Sequence, residues 1–136
     1  MGTFYTGCVV ENHLNRRRLV RIPKLLVDTG SEHTWISEAS LEKIGVVREK
    51  KDLPFVMANG QQITRSVGFA ILRVGEHFTI DEVVFGEPGD LLLLGARTLE
   101  GLNLAVDARR KQLVAAGPLP VAPVSGDGTM ARRPAA

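Results

Sequence analysis

The chain has 136 residues, 44% hydrophobic and 24% charged, with a formal charge of +2. That length suits one folded unit with a real core, and the composition is neither that of a disordered chain nor of a membrane-embedded one. The mild charge and the short run Arg16-Arg17-Arg18, which reads as a solvated turn, make no case for a nucleic-acid partner.

At the start, Met1-Gly2-Thr3-Phe4-Tyr5 shows no basic leader followed by an apolar stretch, so a cytoplasmic location is expected. Apolar and β-branched residues then come in short runs broken by Gly, Asn, Asp and Pro, which predicts a mainly β protein. Strands are predicted over residues 4–11, 18–21, 24–28, 53–57, 62–74, 77–85, 91–94, 103–107 and 112–115. Turn signals lie between most of them, among them Ala58-Asn59-Gly60 and Val74-Gly75-Glu76. Ser37 can cap a short helix over 38–44 with Gly45 as its stop, and 96–101 allows at most a short turn. The lone Cys8 reads as a small buried hydrophobe, and Trp35 as core or subunit packing. From Gly117 on, Pro, Gly, Ser and Ala dominate without periodicity, so the division is a folded domain at 1–116 and a disordered tail or linker at 117–136. No run approaches the ~20 apolar residues of a membrane helix.

The run Leu25-Leu26-Val27 ends in Asp28-Thr29-Gly30-Ser31. A carboxylate at the end of a buried strand is costly unless it is paired or used. Thr29 and Ser31 place hydroxyls near it, and Gly30 permits close backbone approach. Read alone, Asp28 could as well be a turn residue bonding its own backbone. A second segment, Leu91-Leu92-Leu93-Leu94-Gly95, is again an apolar run entering Gly, and the pair is far more specific than either part.

With those two motifs, and with Leu104-Ala105-Val106-Asp107 followed by Lys111-Gln112-Leu113-Val114, the chain resembles the retropepsin family of aspartic proteases, including its bacterial single-domain members. The resemblance implies an all-β, closed-barrel fold with one short helix, in which the Asp-Thr-Gly strand and the Leu93-Leu94-Gly95 strand form a psi-shaped loop. It implies Asp28 as the catalytic carboxylate, supported by Thr29, Gly30, Ser31, Leu93, Leu94 and Gly95. A flap hairpin over the peptide is implied, best placed at Ala58-Asn59-Gly60-Gln61. It makes Asp107 a structural residue at a strand-end turn.

Hydrolysis by this chemistry needs two carboxylates, one to take a proton from water and one to give a proton to the carbonyl oxygen. One Asp-Thr-Gly therefore implies a homodimer acting on peptides, with no metal and no cofactor. In the family the motif threonine bonds across to the other subunit, which is the expectation for Thr29. The late strand 113–115 is a candidate dimer edge. The alternative is a retropepsin fold serving as a dimerisation or peptide-binding module without turnover. His13, His33 and His77 are too scattered for a metal site and read as surface or satisfied core residues. Ser31 with His33 lacks the surroundings of a hydrolase nucleophile.

Overall fold

The computed structural model describes residues 3–122. β1 (Phe4–Asn12) turns at His13-Leu14 into β2 (Asn15–Val27), and the two pair antiparallel. The sequence suggested two strands with Arg16-Arg17-Arg18 in a turn; instead one strand of 13 residues runs through them. Arg16 is tied to Glu11 at 3.1 Å, and Arg18 donates to the Lys43 carbonyl at 2.9 Å. The gap expected between residues 21 and 24 is absent: Pro23 lies where the ladder shifts register, between Thr6 and Cys8, a position that tolerates proline.

β3 (Thr34–Ser37) leads into α1 (Glu38–Lys43), capped as expected by Ser37, whose hydroxyl accepts from the Ser40 amide at 3.2 Å. β4 (Lys50–Val56), β5 (Gln62–Val74) and β6 (His77–Gly86) follow as two successive hairpins. β7 (Leu93–Leu94) is only two residues, shorter than the predicted 91–94, because Leu91 turns outward and is 61% exposed. α2 (Ala96–Leu102), β8 (Leu104–Asp107) and β9 (Gln112–Ala115) complete the chain. Where one short helix was expected there are two.

The main sheet runs β1-β2-β7-β3-β6-β5-β4, and β1 also pairs with β5, so six strands close a ring and β4 extends it outside. β8 and β9 form a separate two-stranded sheet. At its turn, Asp107 accepts from the amides of Arg109 and Arg110, both at 3.1 Å, the strand-end role expected of it. Hydrogen bonding of this hairpin runs on to Gly117, whose carbonyl accepts from the Asn103 side chain. The rest of the predicted tail, from residue 123, lies outside the described residues.

The core fills the ring with Val10, Leu25, Val27, Ile36, Leu72, Phe85 and Leu94 among others, closed by Leu41 of α1 and Leu99 and Leu102 of α2. A second cluster, Trp35, Val67, Val84 and Leu93, lies beneath Leu53, Phe55 and Ile63 of the β4–β5 hairpin. Adjacent residues of a strand face opposite ways, so Leu94 enters one cluster and Leu93 the other. Two buried faces explain why this segment is apolar throughout rather than alternating. Cys8 is buried, and burial pushes its thiol pKa up to about 12, matching its reading as an inert hydrophobe.

Candidate active site

β2 and β3 are consecutive in sequence but not neighbours in the sheet. β7 lies between them, parallel to β2 (Val27 beside Leu94) and antiparallel to β3 (Trp35 beside Leu93). The connection, residues 28–33, must therefore arch over the end of β7, which produces the psi shape. Its two ends are pinned: the Asp28 amide donates to Leu94 O at 3.0 Å, and the Gly95 amide donates to Thr34 Oγ1 at 2.9 Å.

The arch also caps α2. Gly95 carries no side chain to satisfy the first helical amides, so Ala96 N–H donates to Ser31 O at 2.8 Å and Arg97 N–H to Glu32 O at 3.1 Å. Glycine is required because a Cβ at 95 would lie 2.6 Å from the His33 carbonyl carbon and 2.9 Å from Glu32 O. Because this capping is tertiary, the local sequence predicts at most a short turn where α2 forms.

A buried hydroxyl relay stiffens the arch from below. Thr98 Oγ1 donates to Asp81 Oδ2 at 2.9 Å, and Thr34 Oγ1 and Thr98 Oγ1 lie 2.6 Å apart. Asp81 as a carboxylate only accepts, so Thr98 spends its hydrogen there and Thr34 donates to Thr98 while accepting from Gly95. Both threonines are fully buried. Nothing local in the sequence marks them, since each bond joins α2 to a strand 64 or 17 residues away along the chain.

Asp28 sits partly buried at the floor of a cleft of about 450 Å³, with Oδ1 accepting from the Gly30 amide at 2.9 Å. That is the self-bonding of a turn aspartate, and here it fixes the carboxylate beside the cleft as well. The Ser31 hydroxyl does not reach it; Ser31 Oγ donates to His33 O at 3.0 Å, because the tight arch turns it back on its own backbone. That bond also leaves Ser31 and the His33 ring without a nucleophile–base contact. Thr29 is exposed on the other side, lining a smaller hollow of about 190 Å³ with Phe4 and Val106.

The β4–β5 hairpin forms the opposite wall through Phe55, Val56, Met57 and Ala58. Its tip closes with Gly60 N–H on Met57 O and Met57 N–H on Gln61 O, both 2.8 Å, and Gly60 takes φ +87°. Asn59 and Gln61 are exposed beside it, whereas the competing Gly75 turn contributes nothing to the cleft. His33, expected as a surface or satisfied core residue, instead lines the cleft with its ring. It meets Phe55 edge-on at 5.6 Å and lies 3.6 Å from Glu82. Trp35 packs on Phe55 at 5.3 Å.

Asp90 at the cleft, and Glu82 and Glu11 elsewhere on the ring, are held in ion pairs. Arg65 on β5 grips Asp90 through two hydrogen bonds of 2.7 and 2.8 Å, which holds the Asp90 carboxyl below its ordinary range. Lys50 at 2.6 Å does the same for Glu82, and Arg73 at 2.9 Å for Glu11. Because each folded-state pKa lies below the unfolded one, the stability these pairs add is complete above the unfolded carboxylate range, about pH 4, and is lost as pH falls through the lower folded values. Acid unfolding is therefore expected to weaken in Arg65→Met, with less stability left to lose below about pH 4. An unchanged stability–pH slope in that variant, followed by urea denaturation, refutes the role of the pair.

Among the described residues, no group of three or more His, Cys, Asp or Glu is placed to hold a metal, and no helix is long and apolar enough to cross a membrane. The profile of the family described as gag-polyprotein putative aspartyl protease matches residues 20–101. The chain belongs to that family. The matched span runs from within β2 into α2, so it contains the arch, β7 and the whole β4–β5 hairpin. No curated protein matches the chain.

Proposed function

We propose that this protein is an aspartic endopeptidase of the retroviral, single-domain type, similar to bacterial members, and that it works as a symmetric homodimer. The reading is carried by one observation: a single Asp-Thr-Gly arch, pinned over β7, holds one carboxylate at the floor of a cleft walled by a hairpin. One Asp28 cannot be base and acid in the same step, and a two-fold axis beside it supplies the second. Two carboxylates about 3 Å apart share one proton because both cannot ionise. The ionised member takes a proton from water, the water attacks the peptide carbonyl, and the protonated member donates to the carbonyl oxygen. No covalent intermediate and no metal is required by this route.

Thr29 is exposed in the single chain, which suits a residue whose partner is the other subunit. Ala58, Asn59, Gly60 and Gln61 form the tip of the flap, and an extended peptide binds beneath it by adding backbone hydrogen bonds, with side chains in the apolar subsites. The test is the distance between the two copies of Asp28 in the assembled protein, read by crystallography or by cross-linking at adjacent positions. A separation of a few ångströms is expected; an active monomer, or carboxylates on opposite sides of the assembly, refutes the proposal.

A further inference from the structure

The cleft combines an apolar surface with an unbalanced charge. Trp35, Phe55, Leu91 and Leu93 supply much of the first, and no Lys or Arg is among the lining residues although the chain as a whole is positive. Of the three lining carboxylates, Asp28 is the proposed catalytic group and Asp90 is neutralised by Arg65 through both oxygens. Nearby, Asp81 and Glu82 face Arg97, Glu82 also holds Lys50, and Glu87 faces Arg65. Glu32 differs: it lines the cleft, is exposed, and takes part in none of the ion pairs among the described residues. Its backbone is nevertheless fixed, because its carbonyl caps α2 through Arg97 N–H. An uncompensated carboxylate on a rigid backbone, in a concave site with low-dielectric walls, concentrates negative potential where a ligand must lie.

We infer that Glu32 is a specificity-determining residue that receives a lysine or arginine side chain of the bound peptide, while neighbouring peptide side chains fill the apolar part of the cleft. This rests on the protease reading for the peptide nature of the ligand. The substrate class is then an extended segment mixing apolar residues with one basic residue, and an acidic residue at the same position is rejected by like-charge repulsion.

The experiment uses the whole protein and sets of peptides identical except for Lys, Glu or norleucine at each position in turn around the cleaved bond. Wild-type protein is expected to favour Lys over Glu at one position by roughly three- to ten-fold in kcat/KM, mainly through KM, the size expected for a partly exposed ion pair. Glu32→Gln removes that ratio and Glu32→Lys inverts it. If the ratio is unchanged in both variants, the inference is overturned while the protease reading stands. If Glu32→Gln instead weakens self-association, by sedimentation, with the ratio intact, Glu32 serves a subunit contact and the inference is likewise overturned. Should no peptide be cleaved, binding of the same fluorescent peptides decides: a Lys preference lost in Glu32→Gln upholds Glu32 and removes the protease, and equal binding of Lys and Glu peptides overturns both.

Discussion

Asp28→Asn is expected to lower peptide cleavage by roughly 10²–10⁴-fold, the range for loss of general acid–base catalysis, while leaving the fold in place. The substitution is close to isosteric. An asparagine Oδ1 still accepts from the Gly30 amide, so the arch keeps its internal bond, and the Asp28 backbone bond to Leu94 O is untouched. What disappears is the ability to hold and release a proton. In a dimer both copies are altered at once, so neither base nor acid remains. Cleavage followed by mass spectrometry, beside circular dichroism and sedimentation of the same sample, separates loss of chemistry from loss of structure. Undiminished turnover in a well-folded Asp28→Asn protein would falsify the catalytic assignment.

Gly95→Ala is expected to destabilise the protein by about 3–5 kcal/mol, at the upper end for a single substitution. The new methyl meets the carbonyl of His33 and then Glu32 O, all backbone, so no side chain can swing away to make room. Relief requires lifting the arch from β7, which breaks the bonds from Ala96 to Ser31 O and from Arg97 to Glu32 O that start α2. It also separates Gly95 N–H from Thr34 Oγ1, leaving buried groups unpaired. Activity falls with stability because the same arch carries Asp28. Gly7→Ala is the control: a methyl there meets Pro23 O at 3.6 Å and Ile22 O at 3.9 Å, both ordinary contacts, and the cost stays within about 1 kcal/mol. Urea denaturation of the two variants compares them, and equal stability would show that the close approach at Gly95 is not what the arch depends on.

Much of the architecture was legible because its signals are local. The long hairpin strands β5 and β6 follow from β-branched runs and a Gly turn, and β5 begins and ends where expected. Ser37 announces α1 through its own hydroxyl. Misread elements share a different origin. β3 is only four residues, too short to stand out as a run, and β6 and β7 flank it on both sides. The two strands expected on either side of residues 22 and 23 are one, because a register shift accommodates Pro23. α2 has no capping side chain of its own and borrows carbonyls from a loop far earlier in the chain.

The same division runs through the site. From the residues alone came Asp28 in its motif, Leu93-Leu94-Gly95 as its companion, and the hairpin near Asn59-Gly60, since each is a short string whose composition is peculiar. The Thr34–Thr98–Asp81 relay, the turning of Ser31 away from the carboxylate, the entry of His33 into the cleft and the unpaired charge of Glu32 were decided only by the tertiary structure. A motif is constrained by what its own backbone must do and so leaves a trace in adjacent residues. A hydrogen bond or a charge imbalance across the ring depends on which distant side chains folding brings within about 3 Å, and adjacent residues carry no record of that.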